Sequence, residues 1–379
     1  MTLRSYVLSR ILLTIPMIFI LLTMVFIVIR ILPGDPVLLH FEKQENPAAI
    51  EEMRHRLGLD KPLWVQYFDY VGGLFRGDLG KSMQDYSSVT QQILSAFPAT
   101  LELAIFSMTI AVAIGVFLGV EASKRYNKPA DHSIRIFGIV TYAIPVFFLG
   151  MVLQMSLGLG LHLLPVGLRF NPTLNPPTGL NIAIPKLPTL GLGMHVLPLG
   201  LKLNLAFARP AGPGIDIERI NFSTGLYTID SLLEGNMHKF VETLRYLILP
   251  SLTLGLVLSG VFIRLTRSNM FETLRLDFVT AARARGLREN KVTYGYALRN
   301  AFLPVLTMMG LQFAALLGGA ILTETTFSWP GLGRYIVDRI SFRDYTAIQG
   351  AVVMLGIFVS IVSLAVDLLY AYLDPRIRL

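Results

Sequence analysis

Phe278-Val-Thr-Ala-Ala-Arg-Ala-Arg-Gly286-Leu287, followed by Leu298-Arg-Asn-Ala-Phe-Leu-Pro304, sets a basic, alanine-rich segment between two long apolar runs. A bilayer core of about 30 Å calls for roughly 20 mostly apolar residues per helix. The runs 246–266 and 302–323 that flank this segment meet the requirement, and so do 11–31, 99–120, 136–160 and 348–370. Charges stand only at their edges, at Arg30, Glu102, Arg264, Glu324 and Asp367. The expected fold is therefore an all-α polytopic membrane protein with six transmembrane helices.

Composition agrees. The chain is 53% hydrophobic and 15% charged, with a mean hydropathy of +0.58, too apolar for a soluble domain of this length. Its net charge of +8 lies in clusters between apolar runs rather than in a stripe on a soluble surface, which argues against nucleic acid as a partner. There is no cysteine, hence no disulfide framework or thiolate site, and no two of the six histidines stand three or four residues apart as metal ligands would. The first run is too long for a signal-peptide core, and Pro33-Gly34-Asp35-Pro36 offers no small-residue cleavage site, so it is expected to remain as a helix.

Lysine and arginine near the span ends set the orientation. Loop 121–135 carries Lys124, Arg125, Lys128 and Arg135, and loop 267–300 carries Arg267, Arg275, Arg283, Arg285, Arg288, Lys291 and Arg299. Both are expected in the cytoplasm, with both termini, and the loops 32–98, 161–245 and 324–347 outside.

In the first outer loop, Asn46 as cap, Pro47 at the first position and Gly58 past the end predict one short helix. Asp60 as cap predicts a second, amphipathic helix carrying Leu63, Trp64, Tyr67, Phe68 and Val71, of which Trp64 and Tyr67 equally fit a membrane-interface belt. The segment 163–225 is rich in proline and glycine. Its alternating stretches 180–184, 201–207 and 215–220 predict short strands in an external insertion. Gly160-Leu-His-Leu-Leu-Pro-Val-Gly167 recurs as Gly193-Met-His-Val-Leu-Pro-Leu-Gly200, read as a duplicated turn.

Catalytic chemistry finds no support. Gly77-Asp-Leu-Gly-Lys-Ser82 ends like a phosphate-binding loop, but Phe75 stands where that pattern needs glycine. No Ser/His/Asp arrangement or pair of intramembrane carboxylates can be argued, so no catalytic and no metal residues are assigned. The segment around Ala281 reads instead as a docking helix. Ala281, Ala282 and Ala284 give a low-relief surface, and Gly286 permits a helix end. Arg283, Arg285 and Arg288 fit either acidic groups on a partner or the positive-inside rule.

These residues resemble the EAA loop in the membrane subunits of ABC importers, most closely the dipeptide/oligopeptide/nickel permease subgroup. Thr280-Ala-Ala-Arg-Ala-Arg-Gly-Leu287 and Leu298-Arg-Asn-Ala-x-x-Pro304 carry the likeness, with Thr280 where the general pattern has glutamate. It continues through Glu324-Thr-x-Phe327, Pro330-Gly-Leu-Gly333, Arg343-Asp344 and Asp374-Pro-Arg-Ile-Arg378, and upstream through Leu32-Pro-Gly-Asp-Pro36, Leu57-Gly-Leu-Asp-Lys-Pro62 and Gly77-Asp-Leu-Gly80. Only about 168–222 departs from it.

The resemblance implies a first unit, 1–98, of one transmembrane helix and an external helical loop, then an importer transmembrane domain, 99–379, interrupted by the insertion 163–225. It implies a homologous second permease subunit, two cytoplasmic ABC ATPase subunits and an external substrate-binding protein. ATP and magnesium would belong to the ATPases, and this chain would bind no cofactor. Thr280, Ala281, Ala282, Arg283, Arg285, Gly286 and Leu287 would couple it to the ATPases. The implied cargo is di- or oligopeptide, with oligosaccharide or nickel as alternatives in the same class. A stand-alone secondary transporter or channel is the alternative from another class, and a membrane enzyme ranks behind both. Polar or kinking residues inside the spans, Tyr142, Pro145, Gln154 and Gln312, are the candidates for the path lining.

Overall fold

The computed structural model describes residues 3–31, 47–56, 58–170, 194–195, 202–204 and 221–373. The elements in chain order are α1 (Leu3–Ile31), α2 (Pro47–Arg56), α3 (Leu63–Phe75), α4 (Val89–Lys124), α5 (Pro129–Ala143) and α6 (Val146–Leu153), the last running into a π-helical segment, Gln154–Gly160. After them come β1 (Met194–His195), β2 (Lys202–Asn204), β3 (Asn221–Ser223), α7 (Tyr227–Leu233), α8 (Met237–Thr273) and α9 (Asp277–Ala284). A second π-helical segment, Lys291–Ala297, leads into α10 (Leu298–Gly319), and α11 (Ile321–Thr326), α12 (Leu332–Ser341) and α13 (Tyr345–Leu373) complete the chain.

Among the described residues, α1, α4, α8, α10 with its π-helical lead and α13 are each long and apolar enough to cross a membrane. The third expected crossing, 136–160, with Pro145 as a kinking residue, is not one continuous helix. It is a pair, Pro129–Ala143 and Val146–Gly160, bent by 103°. Ile144 and Pro145 are both extended, with ψ of 128° and 131°. A residue before proline is pushed out of the helical region, and proline gives no amide to the turn before it, so the break falls here.

The central pair, α4 and α8, runs well past the expected bounds. Their 36 and 37 residues span about 55 Å at 1.5 Å per residue, more than the bilayer core. Hydropathy stops at Pro98 and Tyr246, but the caps lie further out: Ser88 accepts the amide of Gln91, and Asn236 that of Lys239. Ser107, Ala111, Gly115 and Gly119 form a small-residue stripe every fourth position of α4, all buried. It meets Ser251, Gly255 and Ser259 of α8, also buried. A Cβ at Gly115 would overlap Phe262, one at Gly119 would lie 2.6 Å from Thr266, and one at Gly255 2.6 Å from Ile110. In lipid, where apolar burial gives little drive between helices, close backbone approach of this kind carries association.

Around this pair, Gly138 of α5 packs on Gly260 of α8, Gly310 of α10 on Val366 of α13, and Gly356 of α13 on Leu21 of α1. The core of the bundle joins Leu103, Met108, Leu247, Phe262, Val305, Leu317 and Trp329.

Both outer-loop helices form. Gly58 has φ +65°, as expected past the end of α2, while Asn46, its expected cap, lies outside the described residues. Asp60 does not cap α3. Pro62 is the N-cap, extended at ψ 144°, and its carbonyl accepts from Val65 and Gln66, so the helix starts beyond the reach of the Asp60 side chain. The three strands form an antiparallel sheet in the order β1-β2-β3. β2 falls inside the expected stretch 201–207, whereas 180–184 and 215–220 lie outside the described residues. Of the second copy of the sequence echo only Met194 and His195 are described, and the paired histidines differ: His162 sits in a loop at φ +51°, and His195 in β1.

Candidate functional site

At the end of α8 the chain turns at Leu276 into α9, whose first-turn Asp277 complements the helix dipole. Val279 and Ala282, three positions apart on one face, are buried against Val120, Met270, Val292, Ala297 and Ala301. The opposite face presents Phe278, Thr280, Ala281, Arg283 and Ala284, and Arg285 and Gly286 beyond it are exposed, with Leu287 half-buried. Of the expected docking alanines, Ala282 thus turns inward and seats the helix. Gly286 has φ +74° with open space where a side chain would go, and its amide donates to the Arg283 carbonyl at 2.9 Å. That is a left-handed helix ending that favours glycine.

A clasp holds the turn. Arg283 donates twice to Glu289, at 2.8 and 3.2 Å, across Gly286, so this arginine has a partner within its own loop. The same bonds hold the exposed Glu289 carboxyl below the ordinary glutamate range. The following π-helical segment is tied to the end of α4, where Lys124 donates to Tyr294 at 3.3 Å and to Glu121 at 3.0 Å, with its ammonium 4.6 Å from the Tyr294 ring centre. The two basic loops therefore meet at one end of the bundle.

A buried ion pair joins α5 to α8 at that same end. Arg267 donates through Nε and Nη2 to both oxygens of Asp131, at 2.6 and 2.8 Å, and the Asn127 amide adds a third bond. Arg267 also lies over Tyr126, which stacks on Phe271. Read from sequence, Arg267 is one more positive charge in a loop. The available signal is Asp131 itself, an acid two residues after Pro129 in a loop whose other charges from Lys124 onward are basic.

No hydrogen bond joins the four path candidates to one another among the described residues. Tyr142 and Pro145 flank the break between α5 and α6 and are exposed. Gln154 is occupied structurally, its amide donating to the carbonyls of Val166 and Thr326, and so pins the end of the broken span to α11. Gln312 is half-buried on α10, between exposed Leu311 and Phe313, which packs against the core.

At the opposite end, residues of the shared motifs form a buried polar cap. Thr100 donates to Glu324 at 2.7 Å and accepts from the Leu332 amide, and the Arg334 amide donates to Glu324 at 2.9 Å. A Cβ at Gly331 would overlap the Glu324 carboxylate, which accounts for glycine there. Burial nonetheless pushes the Glu324 carboxyl above its ordinary range. Glu102 pairs with Arg169 at 2.6 Å and accepts two bonds from Thr228. Asp344 caps α13 through the Ala347 amide and takes Ser82 Oγ and the Met83 amide. The serine of the phosphate-loop-like stretch is thus committed to a helix cap.

The chain that carries this basic, exposed helix, braced on the ends of two very long helices, matches a known family along nearly its whole length. Residues 111–379 match the binding-protein-dependent transport system inner membrane component, and residues 3–104 match the amino-terminal part of such components. The chain belongs to this family. This inner membrane component is 38% identical to the di/tripeptide transport system permease protein of Pseudomonas aeruginosa, over 99% of this chain and 98% of that one. It is 35% identical to the dipeptide transport system permease protein of Escherichia coli, again over 99% and 98%. Over 99% of both chains it is 33% identical to the glutathione transport system permease protein of Salmonella choleraesuis. As a member of this family it is a multi-pass membrane protein and a transport subunit.

Proposed function

We propose that this chain forms half of the translocation path of an ATP-driven importer of di- or oligopeptides. In this reading it pairs with a homologous permease subunit, receives cargo from an external binding protein, and is driven by two cytoplasmic ATPases that bind ATP and magnesium. The contact runs through the loop 278–304. The carrying observation is α9, a short helix with one buried face and one exposed basic face, joined by packing to α4 and α8.

ATP-driven closure of the ATPases would displace α9, and the stiff α4–α8 pair would pass that displacement to the path as a switch between two states. The loop end faces the cytoplasm, together with both termini, in accord with its arginine and lysine content. The peptide-transport names of relatives aligned over the full length support the cargo class.

Uptake of labelled dipeptide in cells lacking the gene, with and without the full system restored, tests the proposal. Restored uptake is expected only with the ATPases present, and they should copurify with this chain. Uptake by the purified chain alone in vesicles would instead identify a secondary transporter or channel.

A further inference from the structure

At the end of the bundle away from α9, the apolar span Leu8–Arg30 stops at Arg30. There α3 leans against α1: Tyr67 hydrogen-bonds Thr23 at 2.7 Å and packs edge-on against Phe26, while Tyr70 stacks on Phe26. Thr23 lies two turns inside the span, so α3 sits at bilayer depth, in the headgroup and upper acyl layer. Its outer stripe is Trp64, Phe68 and Phe75, at least two-thirds exposed and within about 40° of one another on the helix. An apolar stripe at this depth is a membrane-interface surface.

Behind α3 lies a cavity of about 540 Å³ lined by Arg30, Gln66, Tyr70 and Gln349 among others. Two of its buried polar atoms, Arg30 Nε and Gln66 Oε1, have no hydrogen-bond partner among the described residues, and the Tyr70 hydroxyl has Gln349 beside it but no bond of good geometry. Gln66 is 8% exposed, and its orientation is fixed because its Nε2 donates to the carbonyls of Leu59 and Lys61. Such orphans are costly unless a ligand satisfies them. The set asks for an acceptor facing Arg30 and Tyr70 and a donor facing Gln66. Of the other charged groups in the lining, Lys61 pairs with Asp69 at 2.7 Å, Asp78 accepts the Gly80 amide, and Lys81 adds a second basic group beside Arg30.

We propose that this cavity is a binding site for an anionic phospholipid, its phosphate held by Arg30 and Tyr70, a headgroup hydroxyl donated to Gln66, and its acyl chains running down beside α3. Phosphatidylglycerol has this chemistry, whereas phosphatidylcholine has neither the net charge nor the donor.

The chain's two tryptophans make the test direct, because Trp329 is fully buried and Trp64 is exposed. The full chain is reconstituted in phosphatidylcholine nanodiscs with a minor fraction of brominated phosphatidylglycerol or, in parallel, brominated phosphatidylcholine. Quenching of Trp64 should report a preference of about fivefold for phosphatidylglycerol, the scale expected of one arginine acting on an anionic lipid. The preference should vanish in Arg30→Gln and fall in Tyr70→Phe, with the Trp329 emission unchanged as a check on folding. Equal quenching by both lipids in the unaltered chain, or a preference that survives Arg30→Gln, would overturn the proposal. So would loss of the preference on adding soluble glycerol phosphate, which would identify a site for free phosphate.

Discussion

The guanidinium of Arg267 and the carboxylate of Asp131 meet through two parallel hydrogen bonds between helices, with the Asp131 side chain fully buried and that of Arg267 19% exposed. Fork-to-fork geometry of this kind fixes orientation as well as distance. The pair locks the start of the broken span to the part of α8 that leads into α9.

Removing one partner strands the other charge. Asp131→Asn or Arg267→Met should cost about 2–3 kcal/mol, below the ~3–5 kcal/mol of a fully buried pair because Arg267 keeps some access to water. Unfolding of the purified protein in detergent measures this, and the double variant should recover part of the loss. Additive losses in the double variant would show that the pair is not coupled.

Gly286 sits at φ +74° with free space around it, so a substitution there meets strain rather than a clash. Gly286→Val should cost about 1–2 kcal/mol locally and distort the end of α9, leaving the protein inserted in the membrane while uptake falls sharply. Normal uptake together with normal ATPase copurification would sink the coupling role of this turn.

Neighbouring alanines should separate folding from docking. Ala282 is buried, so Ala282→Glu is expected to lower thermal stability markedly by placing a carboxylate against Met270 and Val292. Ala281 is exposed, so Ala281→Glu should leave the melting temperature nearly unchanged and weaken ATPase copurification. If both variants copurify the ATPases as the unaltered chain does, this face is not the docking surface.

Glu324 provides a pH signature. Its carboxyl is raised from 4.5 mainly by burial, so above that pH the folded protein binds more protons than the unfolded chain, and stability falls as pH rises toward the folded value. Thermal unfolding followed upward from pH 4.5 should show this decline, and Glu324→Gln, which cannot titrate, should flatten it. An unchanged slope in the variant would assign the dependence to another group.

The α4–α8 contact predicts sensitivity to a single methyl. Gly115→Ala should cost about 1–3 kcal/mol by overpacking against Phe262, whereas Gly295→Ala, whose nearest neighbour would be Lys291 Cγ at 3.8 Å, should differ little from the unaltered chain in the same unfolding assay.

Much of this was legible in the chain because it depends on local properties. Apolar length marks the crossings, Gly58 and Gly286 mark helix ends through a backbone conformation only glycine adopts readily, and Pro47 opens α2 as its fixed φ requires. Hydropathy underestimated α4 and α8 because their ends are polar and run on to the caps Ser88 and Asn236. It also passed over the break at Pro145, since the residues on both sides are equally apolar.

By itself, then, the sequence determined a membrane bundle with a short basic helix that ends just before Gly286, properties set within one or two turns of chain. Only the tertiary structure decided that Ala282 faces inward while Ala281 faces out, that Gln154 is used up on carbonyls of Val166 and Thr326, and that Arg267 has a partner at all. Asp131 lies 136 residues away from it. Which distant groups meet is fixed by the small-residue packing of helices against each other, and no local pattern around either residue encodes that.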